Sequence, residues 1–275
     1  MPLLEMRNLV KTFQTDQRMF GGSRGEILAV HGVSLDIHAG ETLGLVGESG
    51  CGKTTLGRMI LRLVEPTSGS IHFNGQDVLA ASPAELRRLR RDMQIVFQDP
   101  FASLNPRMRI AEIITEPLTI HHVRSHDDKK DQRRSHSRLQ EAAREILRAV
   151  GLDESVLRRY PHEFSGGQRQ RIGIARALIL RPKFLVCDEP VSALDVSVGA
   201  QIVNLLKDLQ RDFGLTLLFI SHSMPVVRYL CDRIAVMRRG EIVEIGTCEQ
   251  ITEQPAHEYT RSLLAATPEP AFGLG

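Results

Sequence analysis

Five short runs of apolar residues recur along the chain and predict buried β-strands. They are continuously apolar rather than alternating with polar residues, which is typical of strands in a parallel sheet that is covered on both faces. Patterns with helical spacing lie between these runs, and an alternation of strands with helices indicates an α/β fold. The predicted strands span residues 42–46, 93–97, 184–187, 215–220 and 233–237.

The predicted helices show an apolar stripe that is followed by a helix stop. In the segment 201–213 apolar residues recur on one helical face, and Gly214 follows them. A second stripe runs through residues 139–150 and ends before Gly151. Helical patterns dominate between about residues 100 and 180, where strand signals are few. We therefore expect a helical subdomain that is inserted into the α/β core.

Two charged segments are predicted to be solvated. Residues 121–138 contain a single strongly apolar residue, Val123, together with several histidines. Neither ligand spacing nor an apolar frame fixes a metal site there, so we interpret the segment as a solvated, mobile loop. The basic run at residues 87–91 is predicted to be the solvent-exposed face of a helix, with nucleic-acid binding as the alternative.

Composition narrows the classes of function. The 275 residues are 42% hydrophobic and 25% charged, which is ordinary for a soluble globular protein. The formal net charge of +2 comes from 35 basic and 33 acidic residues, so the total charge gives no reason to expect a nucleic-acid partner. No apolar run approaches the ~18 residues that cross a bilayer, and the first residues do not read as a secretion signal. We therefore expect any connection to a membrane to come through a partner.

Cysteine usage points to a reducing compartment. The cysteines are scattered and form no Cys-x-x-Cys pair. This favours reduced thiols in a cytoplasmic protein and does not support a metal or iron–sulfur site. The four residues are Cys51, Cys187, Cys231 and Cys248.

The first chemical motif is G-x-x-x-x-G-K-[ST], which residues 47–54 match in full. It follows the predicted strand 42–46 and precedes a helical pattern, which is the context that this motif requires. Glycines let backbone N–H groups wrap phosphates, Lys53 reaches the β- and γ-phosphates, and Thr54 offers its hydroxyl to Mg²⁺. The predicted nucleotide-binding residues are Gly47, Glu48, Ser49, Gly50, Cys51, Gly52, Lys53, Thr54 and Thr55.

A carboxylate pair follows another predicted strand. Residues 184–187 are apolar and lead into Asp188 and Glu189. A carboxylate at the carboxyl end of a strand beside such a phosphate loop can hold Mg²⁺, and its neighbour can polarise an attacking water as a general base. The pair alone is weak evidence, but together with the phosphate loop it predicts hydrolysis of a nucleoside triphosphate.

A second anion-binding helix start lies in the segment 164–177. A small hydroxyl and two glycines lead into a basic helix, an arrangement that presents N–H groups and a positive helix end to an anion. The four residues Ser165, Gly166, Gly167 and Gln168 resemble the signature motif of ATP-binding cassette (ABC) proteins. In that family two cassettes pack head to tail, and the signature helix of one points at the γ-phosphate held by the other. The resemblance therefore assigns these residues to the neighbour's ATP.

The resemblance also implies the fold and the remaining site residues. We expect the ABC ATPase fold, an α/β P-loop NTPase core with a mainly parallel sheet, an inserted helical subdomain and N-terminal antiparallel β-strands. Gln98 resembles the Q-loop glutamine, which senses Mg²⁺ and the attacking water, and His222 resembles the switch histidine at the γ-phosphate. Asp195 lies in a segment similar to the D-loop at the dimer seam. Phe13 stands where the family places a ring against adenine; the alternative is a core phenylalanine.

The resemblance extends over nearly the whole chain. Segments 97–110, 160–178 and 187–198 are similar to the ATPase subunits of oligopeptide and dipeptide importers, and residues 255–268 are similar to their C-terminal extension. We therefore predict an ABC ATP-binding domain over residues 1–250 and an extension over 251–275.

The implied function is ATP hydrolysis that energises peptide uptake from the cytoplasmic face of the membrane. The implied partners are two membrane-spanning permease subunits, a second and non-identical ATPase subunit, and an extracytoplasmic solute-binding protein, without nucleic acid. The alternatives are import of nickel or another small solute, a soluble ABC protein of translation or DNA repair, and a P-loop kinase.

Three departures from this group are visible. Gly199 stands where the group commonly has glutamine, and it weakens a helix start by about 1 kcal/mol relative to a good helix former. Ser223 follows the switch histidine where an acidic residue is usual, which leaves open how His222 is held. Some subunits of the group carry a cysteine cluster after the extension, whereas this sequence has none there.

Overall fold

The computed structural model describes residues 1–15, 25–121 and 132–266. The chain divides into two compact units, one formed by Met1–Leu86 with Thr216–Gly275 and the other by Arg87–Leu215. The strands are β1 (Leu4–Thr15), β2 (Gly25–Ile37), β3 (Thr42–Val46), β4 (Ser68–Phe73), β5 (Gln76–Asp77), β6 (Met93–Val96), β7 (Phe184–Asp188), β8 (Thr216–Ser221), β9 (Arg233–Arg238) and β10 (Glu241–Thr247). The helices are α1 (Lys53–Ile60), α2 (Pro83–Asp92), α3 (Ile110–Ile120), α4 (Gln132–Ala149), α5 (Gly166–Leu178), α6 (Val196–Phe213), α7 (Met224–Leu230), α8 (Cys248–Glu253) and α9 (Glu258–Ala265).

The first unit contains an antiparallel sheet near the N-terminus. Strand β1 pairs antiparallel with β2 and with β4, and β4 pairs with β5. Leu4 lies opposite Ile37 on one side and Phe73 on the other, and all three side chains are buried. These apolar cross-strand neighbours explain why the sheet forms, because they bury one of its faces. The N-terminal antiparallel strands expected from the resemblance are confirmed.

The first unit also contains parallel strands. Strand β3 pairs parallel with β8 and with β9, while β10 runs antiparallel to β9. Every residue of β3 and of β8 is buried, which accounts for their continuously apolar sequences. Val46 at the end of β3 lies opposite Ser221 at the end of β8 and opposite Val236 of β9, which continues to Arg238.

The second unit is mainly helical. Strands β6 and β7 pair parallel, and helix α5 packs against α3, α4 and α6. Helix α2 exposes Arg87, Arg88 and Arg91 and buries Leu89, so the expected solvent-exposed basic face is confirmed. Helix α6 ends at Phe213, and Gly214 caps it in the left-handed conformation with φ of 61°.

One prediction in this unit is partly wrong. Residues 121–138 were expected to form a loop, but α4 begins at Gln132. Residues 122–131 of that segment lie outside the described residues. Helix α4 packs against α3 and α5, which stabilises it along its apolar stripe, and extension into the polar residues costs little because helix propagation is easier than nucleation. The helical subdomain was expected over about 100–180, and that boundary stays a prediction.

The departure at Gly199 leads to a stability prediction. A Cβ at Gly199 would lie 3.6 Å from the Val191 Cβ, an ordinary contact. Gly199→Ala should therefore raise the free energy of unfolding by about 0.5–1 kcal/mol, because alanine loses less conformational entropy in a helix. Calorimetry should show a higher melting temperature.

Two other helical glycines serve as controls. Gly173→Ala, with no atom within 4 Å of its added Cβ, should stabilise similarly. Gly167→Ala should destabilise, because its Cβ would lie 2.3 Å from Val198 Cγ1. A lower melting temperature for Gly199→Ala would contradict the prediction.

Candidate nucleotide-binding site

The phosphate loop, residues 47–54, connects the end of β3 to the start of α1. Gly47 has φ of 153° and Gly52 has φ of 109°. A Cβ at Gly47 would lie 2.1 Å from the Met237 carbonyl oxygen, and one at Gly52 would lie 2.2 Å from the Ala29 carbonyl oxygen. The loop therefore rests directly on the backbones of β9 and β2, and only glycine fits at these two positions.

Lys53 fixes a positive charge within this loop. Its side chain is buried, and its Nζ donates hydrogen bonds to the carbonyl oxygens of Gly47 at 2.7 Å and Glu48 at 2.9 Å. Burial raises the pKa of the neighbouring Cys51 thiol, although Lys53 opposes the shift, so no thiolate competes for the ammonium. With the N-terminus of α1 beginning at Lys53, the loop offers a positive environment for phosphate.

His222 leaves the sheet at the same edge as the phosphate loop. Val46 and Ser221 are paired across β3 and β8, so Gly47 and His222 are each the first residue beyond this pair. The His222 side chain is exposed. The Ser223 N–H donates to Ser221 Oγ at 3.0 Å, which ties the turn that carries His222 to the end of β8.

Phe13 lies on the surface of the antiparallel sheet. It stands opposite Ile27 of β2, and the two residues are 40% and 56% exposed. Lys11 Nζ lies 4.9 Å from the centre of the Phe13 ring. The alternative interpretation of Phe13 as a core residue is therefore wrong. Its contact with adenine stays a prediction.

In the second unit, parallel pairing brings a glutamine and a glutamate together. Val96 of β6 lies opposite Cys187 of β7, and Gln98 and Glu189 each follow two residues later. Gln98 Nε2 donates to Glu189 Oε2 at 3.1 Å. Asp188 ends β7 and is only 1% exposed. Three of the predicted catalytic and metal-binding residues thus meet at the carboxyl edge of these two strands.

The backbone at Glu189 is unusual. Its φ is 46°, in the left-handed region that residues other than glycine rarely adopt. The Ser192 N–H and Oγ both donate to the Glu189 carbonyl oxygen, at 3.2 and 3.0 Å. These bonds hold a turn that directs the Glu189 side chain towards Gln98.

The signature residues start helix α5. The Ser165 hydroxyl accepts a hydrogen bond from the Gln168 N–H at 3.3 Å, and Gln168 Oε1 accepts one from the Ser165 N–H at 3.1 Å. This reciprocal capping box explains both residues as helix caps. Gly167 is buried and faces Val198, whose Cγ1 leaves no room for a side chain. A side chain at position 167 would therefore have to displace Val198.

Asp195 begins helix α6 in a similar way. Its Oδ1 accepts hydrogen bonds from the Val198 N–H at 2.9 Å and from Ser197 Oγ at 2.8 Å. These bonds lower the pKa of Asp195, so the carboxylate stays ionised at the helix N-terminus. Locally Asp195 is an N-cap, and its predicted role at a dimer seam is not tested by these contacts.

The comparison with protein families identifies the chain. Residues 30–192 match the family model described as ABC transporter. The chain belongs to the ABC transporter family. It is an ATPase that binds ATP, and the ABC ATPase fold predicted from the sequence is confirmed.

Individual ABC relatives match this ATPase over almost all of its length. It is 51% identical to the oligopeptide transport ATP-binding protein OppF of Bacillus subtilis, over 98% of this chain and 83% of that protein. It is 50% identical to the dipeptide transport ATP-binding protein DppF of Lactococcus lactis, over 98% and 82% of the two chains. A dimeric structure of the ATP-binding cassette MJ0796 bound to ADP and Pi gives a TM-score of 0.75 at 29% identity, over 89% of this chain and 98% of that one.

Two further findings concern metals and membranes. Within residues 1–15, 25–121 and 132–266, no group of three or more His, Cys, Asp or Glu side chains is arranged to hold a metal ion. Within the same ranges, no helix is both long and apolar enough to cross a bilayer. The four cysteines all lie within these ranges, and none of them forms a disulfide bond.

Sequence reasoning missed one contact of the phosphate loop. The Glu48 N–H donates a hydrogen bond to the Tyr259 hydroxyl oxygen at 3.2 Å, and the two residues are 211 positions apart. Tyr259 lies in α9, inside the segment that resembles the C-terminal extension of the importer ATPases. No local pattern signals such a contact, because it depends on where α9 packs.

Proposed function

We propose that this ABC ATPase hydrolyses ATP to drive the uptake of peptides across a membrane. The observation that carries the proposal is similarity over 98% of the chain to proteins named for oligopeptide and dipeptide transport. That similarity includes the C-terminal segment, which we assign to an extension over residues 251–275 beside an ATP-binding domain over 1–250. The named roles of these relatives in transport support a further part of the proposal, that the ATPase binds two membrane-spanning permease subunits from the cytoplasmic face.

Mg²⁺ is proposed as the second cofactor because the residues present suit it. Mg²⁺ prefers oxygen ligands and is commonly held in ATPases by one or two protein side chains together with substrate phosphates. The proposed protein ligands are the Thr54 hydroxyl, the Gln98 amide oxygen and the Asp188 carboxylate. When bound, Mg²⁺ neutralises charge on the phosphate oxygens.

Each side chain then has a proposed role in hydrolysis. The loop residues 47–55 bind the phosphates through N–H groups and the Lys53 ammonium. Glu189 accepts a proton from the attacking water, and Gln98, which donates to its carboxylate, orients that carboxylate. His222 contacts the γ-phosphate, and the exposed Phe13 ring stacks on adenine.

The role of Glu189 leads to the second prediction. Glu189→Gln keeps the shape of the side chain and removes its basicity. ATP should still bind, whereas hydrolysis by the assembled transporter should fall by a factor of about 100 or more. Steady-state phosphate release and nucleotide binding measure the two effects separately.

The matched control is Glu141→Gln, which changes an exposed carboxylate of α4 that pairs only loosely with Arg144 at 3.6 Å. Its hydrolysis rate should equal that of the wild type. Wild-type turnover by Glu189→Gln would show that another group is the base.

The role of the signature motif leads to the third prediction. Ser165 is exposed and caps α5, and aspartate caps a helix as well as serine does. Ser165→Asp should therefore leave the chain folded and able to bind ATP. In the assembled transporter its negative charge would repel the γ-phosphate held by the opposite cassette, so hydrolysis should fall by about tenfold or more.

Ser165→Asn is the matched control, because asparagine is an equally good cap and adds no charge. It should keep clearly more activity than Ser165→Asp. Equal activity of the two variants would exclude a γ-phosphate near Ser165.

The partners and the cargo form the fourth prediction. We propose that a second, non-identical ATPase subunit completes the transporter and that an extracytoplasmic solute-binding protein delivers the peptide. The isolated chain should be largely monomeric, because a seam built for a different chain need not be self-complementary. It should bind ATP and hydrolyse it slowly until its partners are added.

Reconstitution in vesicles tests this proposal. Co-purifying partners are inserted with the chain, and ATP-dependent uptake of labelled dipeptides, oligopeptides and nickel is measured. Peptide uptake that needs both cassettes is the expected result. Robust uptake with this chain as the only cassette would exclude the proposed pair of non-identical ATPase subunits. Uptake of nickel without peptide would exclude peptides as the cargo.

A further inference from the structure

Hydrogen bonds connect the C-terminal segment, which begins at Pro255, to strand β10 of the first unit. The carboxylate of Glu244 in β10 accepts hydrogen bonds from the N–H groups of Ala256 at 2.7 Å and His257 at 3.1 Å. Helix α8 buries Ile251, which is 1% exposed. The turn before α9 is thus held by a strand rather than by the helix alone.

Tyr259 occupies a defined position at the start of α9. Its N–H donates to His257 Nδ1 at 3.0 Å, so the histidine caps the helix at this residue. The guanidinium carbon of Arg238 lies 4.8 Å from the centre of the Tyr259 ring, close enough for a cation–π contact. Tyr259 is 7% exposed. These contacts leave the ring little freedom.

The Tyr259 hydroxyl and Lys53 hold Glu48 through its two backbone groups. The Glu48 N–H donates to the hydroxyl at 3.2 Å, while the Glu48 carbonyl oxygen accepts from Lys53 Nζ at 2.9 Å. A shift of the Glu48 backbone would therefore disturb the contact that positions the ammonium. Tyr259 therefore helps indirectly to position the Lys53 ammonium, which is proposed to bind phosphate.

A tyrosine suits this task better than a carboxylate would. Burial raises the pKa of Tyr259, although the hydrogen bond from Glu48 opposes the shift. The hydroxyl therefore stays neutral at physiological pH and accepts the N–H without placing a negative charge beside the phosphates. A carboxylate in the same place would satisfy the N–H but repel ATP.

We propose that Tyr259 is a positioning residue for ATP binding, through which the C-terminal segment holds the phosphate loop in its binding conformation. Loss of the hydroxyl frees the Glu48 end of the loop, which ATP must then order at the expense of affinity. The proposal concerns ATP binding by this chain and does not depend on the transported cargo.

Tyr259→Phe tests the proposal, because it removes the hydroxyl and keeps the ring and its contact with Arg238. The isolated full-length chain should bind ATP about fivefold more weakly by calorimetry, the loss expected for one hydrogen bond. In the assembled transporter, KM for ATP should rise by a similar factor while kcat changes little, because bound ATP orders the loop again. Hydrogen exchange without nucleotide should become faster in peptides that cover residues 47–54.

Tyr229→Phe is the matched control, since it removes a tyrosine hydroxyl from α7 in the same unit. It should leave both ATP affinity and exchange at residues 47–54 unchanged. Wild-type affinity in Tyr259→Phe would overturn the proposal. An equal loss of affinity in both variants would also overturn it, because the effect would then come from general destabilisation.

Discussion

The direct contact of the phosphate loop with neighbouring strand backbones is the constraint on which the nucleotide site depends. The loop can wrap phosphate with its N–H groups only if its own path is fixed, and here that path lies against the carbonyl groups of Met237 and Ala29. Such an approach requires glycine at Gly47 and Gly52, and it requires β3 to run between β8 and β9 in the observed register. The buried apolar strands thus set the geometry of a polar loop.

In the second unit, too, the pairing of strands fixes the position of polar residues that lie beyond the strand ends. Parallel pairing of β6 and β7 places Gln98 and Glu189 at equivalent positions beyond the sheet, where a hydrogen bond joins them. The left-handed turn at Glu189 would be unfavourable alone, but Ser192 stabilises it with two hydrogen bonds. The two predicted catalytic side chains are therefore positioned mainly by backbone geometry, and Ser192 secures the turn at Glu189.

The buried strands and most of the candidate site residues could be predicted from the sequence, for physical reasons. Apolar runs located the buried strands to within about a residue, because a strand covered on both faces admits few polar side chains. Residues 47–54 were singled out by motif spacing and Asp188 by its place at the end of a predicted strand, and their roles towards phosphate and Mg²⁺ stay predictions. Periodicity could not find the first turns of α4, which are polar, nor could it decide whether Phe13 faces the core or the solvent. The contact between Glu48 and Tyr259 could not be predicted at all, since it depends on tertiary packing.

Two positions of the signature motif, Ser165 and Gly167, differ in how closely they are packed. Gly167 faces Val198 so closely that any side chain in its place would have to displace the valine, so replacing it disturbs the packing of α5 against α6 before any ligand is considered. Ser165 is exposed, and its local task of capping α5 can be performed equally well by aspartate or asparagine. The charge at this position can therefore be altered while the helix start is preserved. Within this four-residue motif, a substitution at Ser165 can therefore test function alone, whereas a substitution at Gly167 also changes the packing of the fold.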